Sequence, residues 1–129
     1  MGYKFVDTNI FIEVFARSGE KSDKSKVLIS ESNNLYTSSL VISEIEWVLR
    51  YAYKKKRAEI VVYLKRILST GIKIENQKLI IKALTCYQKN NVDWTDCLNM
   101  FLAQENNIKE VYSYDRGISK FGWVTRLEP

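Results

Sequence analysis

The sequence predicts an α/β sandwich: a short, mainly parallel central sheet flanked by helices. Three observations carry that class. Five brief apolar runs with strand character are separated by segments whose apolar residues recur at helical spacing. Most of these strands are separated by two helices, rather than by the single helix of a plain Rossmann alternation. The 129 residues contain no internal repeat, and the one proline is the last residue, so no Pro-rich linker divides a chain of one-domain size. A single domain over residues 1–129 is therefore expected.

The elements follow in order. Tyr3–Val6 is an apolar run expected to be buried in the sheet, and it ends in Asp7, Thr8 and Asn9. Ile10, Phe11, Val14 and Phe15 then continue at helical spacing. Residues 18–32 carry a weaker pattern that predicts a short helix broken by serines. A second strand is expected at Leu35–Ser38. Over residues 40–53, Val41, Ile45, Val48, Leu49 and Ala52 form one stripe, and over 57–70 Ile60, Val61, Leu64, Ile67 and Leu68 form another. Ile72–Ile74 reads as the third strand. Residues 76–89 bury Leu79, Ile80, Ala83, Leu84 and Tyr87, with Asn76 as N-cap. Residues 94–105 are apolar around most of their circumference, leaving mainly Thr95 and Asn99 polar, which predicts a well-buried helix capped by Asp93. Strands at Glu110–Tyr114 and Trp123–Thr125 complete the sheet.

Composition narrows the chemistry. Histidine is absent, which excludes Ser-His-Asp and Cys-His catalysis and the common His-containing zinc sites. Cys86 and Cys97 lack CxxC spacing and read as reduced, buried thiols. No GxGxxG or Walker A sequence supports a nucleotide cofactor. Lys4, Asp7 and Glu13 interrupt the first fifteen residues, which are neither a signal peptide nor a membrane span. A soluble, cytoplasmic protein is expected. The net charge is +5, and Arg50, Lys54, Lys55, Lys56 and Arg57 cluster, as do Lys21, Lys24 and Lys26. Such patches suit a polyanion such as nucleic acid, although either alone also reads as a solvated helix end.

Hydrolytic chemistry in this chain must rest on carboxylates and a metal. Most acids have ordinary explanations: Glu46, four residues before Arg50, reads as half of an exposed helical ion pair. Four acids fit less well. Asp7 closes the first strand, and Glu44 borders the apolar stripe of its helix. Asp96 lies in the first turn of the nearly all-apolar helix, and Asp115 follows the fourth strand. In a parallel sheet, strand ends and helix openings of this kind meet at the C-terminal edge, where ligands bind. Converging carboxylates repel one another, and a hard divalent cation relieves the repulsion. Oxygen-only ligands favour Mg²⁺ or Mn²⁺.

The residues resemble those of PIN-domain nucleases, most closely the VapC-type toxins of toxin–antitoxin pairs, over essentially the whole chain. "FVDTNIFIEVF" is similar to the family's opening strand–Asp–helix signature. "TSSLVISEIEWVLR" carries the second acid on Glu44, and "NVDWTDCLNMFLA" carries the third on Asp96 with Asp93 as an accessory acid. "VYSYDRGISKF" carries Asp115, with the Ser113 hydroxyl two residues earlier. The resemblance implies a PIN-like α/β/α sandwich and Mg²⁺- or Mn²⁺-dependent RNA cleavage, with Asp7, Glu44, Asp96 and Asp115 as metal-binding and catalytic residues. Thr8, Asn9, Asp93 and Ser113 would orient the acids or water, or simply cap local structure. Lys54, Lys55, Lys56, Arg57 and Arg116 would track the RNA backbone. It further implies a homodimer and a cognate VapB-type antitoxin. A PIN nuclease of RNA maturation outside a toxin pair and a non-catalytic PIN module that binds RNA or protein are the alternatives. A phosphoacceptor receiver domain is excluded, because residues 57–92 contain no Asp to end a middle strand. A haloacid-dehalogenase-type phosphatase is disfavoured, because Asn9 stands where a second Asp is needed.

Overall fold

The computed structural model describes residues 2–129, in two units, one ending at Gln77 and the other starting at Lys78. The first unit is built on a parallel sheet of three short strands. In chain order it contains β1 (Lys4–Phe5), α1 (Thr8–Ala16), α2 (Glu20–Glu31), β2 (Leu35–Thr37), α3 (Ser39–Tyr51), α4 (Arg57–Ser69) and β3 (Lys73–Ile74). The strands lie in the order β1-β2-β3, with Phe5 opposite Tyr36 and Thr37 opposite Ile74. Each crossover is a helix pair, as the double-helix spacing predicts. Val6, Phe11, Ile12, Leu35, Ile42, Ile45, Leu49, Ile60, Leu64 and Ile67 are buried, each removing an apolar side chain from water at roughly 1.5–3 kcal/mol. Thr37 is fully buried because its Oγ1 donates to the Val6 carbonyl at 2.9 Å. That bond fixes β1 against β2 where the chain leaves the sheet toward Asp7.

Four expectations are corrected here. In β1 only Val6, just beyond the strand, enters the core, whereas Tyr3 and Phe5 remain exposed beside Tyr36. The serines do not break α2, which runs for 12 residues. Ser22 and Ser25 are buried, and the Ser22 hydroxyl donates to the Arg17 carbonyl, so small polar side chains face inward without leaving an unpaired group. Glu46 is not exposed but buried, with Arg50 Nε at 2.9 Å from Oε2. It lies four residues after Ile42 and three before Leu49, on the buried face, and its charge is tolerated because it is paired. Asn76 is not a typical extended N-cap, since it adopts a left-handed turn (φ 55°) before the next helix, a conformation asparagine tolerates.

The second unit takes up α5 (Gln77–Lys89), α6 (Trp94–Glu105), β4 (Glu110–Tyr112), a 3₁₀ helix (Arg116–Lys120) and β5 (Thr125–Leu127). β4 and β5 pair in parallel, with Val111 opposite Arg126. Strand β5 begins two residues later than predicted, because the Trp123 side chain is committed to packing. Its Nε1 donates to the Met100 carbonyl at 2.8 Å, and its ring lies against Phe101 and Phe121. Helix α6 is buried on one side only, at Trp94, Cys97, Met100 and Ala103, while Leu102 is exposed. No disulfide forms among the described residues; Cys97 is buried as expected, whereas Cys86 is only half-buried. Among the described residues, no helix is long and apolar enough to cross a membrane.

Trp94 is fully buried and meets Tyr87 edge-on at 5.6 Å. Trp94→Ala is expected to destabilise the protein by about 3–5 kcal/mol, read as a lower urea midpoint. A loss below about 1 kcal/mol would mean that this ring does not anchor α6.

Candidate functional site

Within the first unit, the acids are placed by strand ends. Asp7 follows β1 in extended geometry and occupies the N-cap of α1, its Oδ1 accepting from the Thr8 amide at 2.7 Å. The buried Thr8 hydroxyl donates to Glu44 Oε2 at 3.0 Å, across 36 residues of sequence. One residue thus ties both acids: its amide holds Asp7 and its side chain holds Glu44. Asp7 and Glu44 themselves are exposed. Water and the N-terminal dipole of α1 accommodate the Asp7 charge. Asn9 is exposed on the first turn of α1. Sequence reasoning missed Glu75. It follows β3, and its Oε1 accepts from the Ser39 amide at 3.2 Å and the Ser39 hydroxyl at 2.8 Å, at the start of α3. The available signal was its place directly after the apolar run Ile72–Ile74, as Asp7 follows Tyr3–Val6.

Within the second unit, three aspartates interact. Asp93 takes the N-cap position of α6 without a side-chain capping bond to the helix, so its predicted capping role is met by backbone position alone. Burial, then the negative charges of Asp115 and Asp93, raise the Asp96 carboxyl above its ordinary range, helped by a side-chain hydrogen bond with Asp115. Asp115 is held from both sides: its Oδ1 accepts from the Gly117 amide at 2.8 Å, and its own amide donates to Ser113 Oγ at 3.0 Å. A Cβ on Gly117 would lie 3.0 Å from Asp115 Oδ1, so a side chain there would press on the carboxylate. Ser113 thus orients Asp115 through its backbone, and Arg116 is exposed.

The basic run lies between α3 and α4. Lys54 and Lys56 are exposed, Lys55 and Arg57 are half-buried, and Lys55 approaches Glu59 at 3.9 Å. Within neither unit do the described residues gather three or more Asp, Glu or Cys side chains into a ready-made metal cage. The candidate ligands offer carboxylate oxygens alone, and one of them, Asp96, resists ionisation among its neighbours. That donor set fits a hard divalent cation such as Mg²⁺ or Mn²⁺ and does not suit a soft metal.

A short parallel sheet crossed by helix pairs, with an aspartate at a strand end and others at helix starts, defines a class, and the match to it is direct. Residues 4–124 match the PIN-domain family model, and the chain belongs to that family. The VapC ribonuclease of Aquifex aeolicus (strain VF5) is 28% identical over 127 residues, covering 95% of this chain and 94% of that protein. Among solved structures, the Mycobacterium tuberculosis toxin VapC20, which cleaves the sarcin–ricin loop, aligns over 93% of this chain and 95% of its own, with a TM-score of 0.45 and 19% identity.

Proposed function

We propose that the protein is a VapC-like endoribonuclease that requires Mg²⁺ or Mn²⁺, with residues 1–129 acting as a single PIN domain. In this reading Asp7, Glu44, Asp96 and Asp115 serve one reaction centre. The observation that carries it is the Asp96–Asp115 pair, two carboxyl groups sharing a hydrogen bond with Asp93 adding negative charge. Carboxyl groups crowded against their mutual repulsion mark a candidate cation site, because a bound cation relieves that repulsion. Membership of the PIN family and the similarity to a VapC ribonuclease along nearly the whole chain support the same reading.

When bound, the divalent ion lowers the pKa of water and neutralises charge building on the phosphate. The chain's own groups do the rest. Thr8 fixes the rotamer of Glu44 and the seat of Asp7, and Ser113 with Gly117 holds Asp115. No histidine is needed for such a hydrolysis, and its products carry a 5′-phosphate and a 3′-hydroxyl. Lys54, Lys55, Lys56, Arg57 and Arg116 contribute attraction for the RNA backbone. A cognate VapB-type antitoxin is the partner and a homodimer the assembly that this class of toxin implies.

Induced expression without an antitoxin is expected to arrest growth and to generate new cellular RNA 5′ ends bearing phosphate. Growth arrest without new RNA ends would reject ribonuclease action as its cause. Full growth, together with no cleavage of total RNA by the purified protein in Mg²⁺ or Mn²⁺, would favour a non-catalytic binding module.

A further inference from the structure

We propose that Trp47 and Tyr51, on the outer face of α3, form a stacking platform for an unpaired base of the bound RNA. This rests on the ribonuclease reading and goes beyond it, because neither residue belongs to the carboxylate set.

Both side chains are large, apolar and in water: Trp47 is 58% exposed and Tyr51 50%. Leu40, Glu44, Trp47 and Tyr51 stand four, three and four residues apart, so they share one helical face. Along the helix axis Trp47 lies about 4.5 Å from Glu44, and Tyr51 about 6 Å further. The platform therefore starts one turn from a proposed metal ligand.

Its geometry is set in advance. The Trp47 and Tyr51 ring centroids are 5.4 Å apart at an interplanar angle of 45°. The Arg50 guanidinium lies over the Tyr51 ring at 4.6 Å and is anchored by Glu46 at 2.9 Å. Glu46 is buried, and its pairing with Arg50 holds the guanidinium over the tyrosine. A cation on one ring beside a half-exposed indole is the arrangement on which bases stack, since every base presents a π-face. The positive run Lys54–Arg57 follows directly after α3, as backbone attraction would require.

The same features argue against a second copy of the chain on this face. A two-fold contact that paired the α3 helices in parallel would bring the Lys54–Arg57 run toward its own equivalent, where like charges repel.

The test uses the full-length protein carrying Asp7→Asn, so that RNA stays intact, and a fluorescent single-stranded RNA of mixed sequence. Trp47→Ala is expected to weaken binding about tenfold, and Trp47→Phe to retain most of the affinity, because a phenyl ring still stacks. The slope of log Kd against log salt should stay unchanged in Trp47→Ala, which removes no charge, and fall by about one in Lys54→Ala. Absent binding by the Asp7→Asn protein, equal binding by Trp47→Ala, or equal losses in the Ala and Phe variants would each overturn the platform. A change from dimer to monomer by light scattering in Trp47→Ala, with affinity per subunit preserved, would overturn it in favour of a subunit contact. Failure of the nuclease reading shows separately, as absence of cleavage by the parent protein in Mg²⁺ or Mn²⁺ whatever Trp47 does to binding.

Discussion

Asp7→Asn is expected to lower RNA cleavage by about a hundredfold or more while leaving the protein folded and equally stable. The asymmetry comes from two jobs of one side chain, the observed cap and the proposed metal ligand. As an N-cap, Asp7 accepts a hydrogen bond from the Thr8 amide at 2.7 Å through Oδ1. Asparagine has a carbonyl oxygen in the same place and is an equally good cap, so α1 and its Thr8–Glu44 bond stay intact. As a ligand, the amide lacks the negative charge that a hard cation needs. Losing about 3 kcal/mol of transition-state stabilisation corresponds to a rate loss of that size. Chelation with EDTA should abolish cleavage by the parent, and added Mg²⁺ or Mn²⁺ should restore it. Asp7→Ala separates the two jobs, since it should also cost about 1 kcal/mol of stability through loss of the cap. Cleavage at the parental rate by folded Asp7→Asn protein would remove Asp7 from the centre.

The elements that carry the candidate residues were legible because those residues stand at punctuation points of the apolar pattern. Asp7 directly follows a strand-like run, and Asp96 falls in the first turn of a helix, so periodicity alone placed them. The partners of these residues were not legible. Thr8 reaches Glu44 across 36 positions, and no local spacing announces such a bond. Glu75 carries no local signal for a related reason, since its partner Ser39 is also 36 residues away.

Fold errors have equally particular causes. Glu46 was assigned to water by its charge, although 42, 46 and 49 lie on one helical face; the pairing with Arg50 outweighed the cost of burial. Serines compete for backbone hydrogen bonds, so those of α2 predict a broken helix. Facing inward, with the Ser22 hydroxyl satisfied by the Arg17 carbonyl, they became small packing residues instead. Trp123 has high strand propensity, yet its indole N–H is tied to Met100, and that tertiary bond moved the start of β5. In each case side-chain pairing decided what propensity could not.

Asp96→Asn is expected to have opposite effects on activity and stability. Its ionised carboxylate faces desolvation, Asp115 and Asp93 together, so its pKa in the folded protein lies above its ordinary value. A carboxyl shifted in this direction binds its proton more tightly when folded than when unfolded. Its favourable contribution is therefore full below the ordinary carboxylate pKa of about 3.9 and is lost as pH rises through the raised value. At neutral pH without metal, the charged group opposes folding. Asparagine removes that charge and can still donate its amide hydrogen to Asp115. Metal-free Asp96→Asn should thus be more stable than the parent at pH 7, by a fraction of 1 kcal/mol because solvent screens a partly exposed group, and the difference should vanish toward pH 3. Magnesium is expected to reverse the order, stabilising the parent by mass action and the variant much less. Cleavage by the variant should fall about a hundredfold, as for Asp7→Asn. Urea midpoints in EDTA and in Mg²⁺, taken across pH 3 to 7, report all of these terms. A metal-free variant less stable than the parent at pH 7 would mean that Asp96 holds a structural bond rather than a repelled charge awaiting a cation.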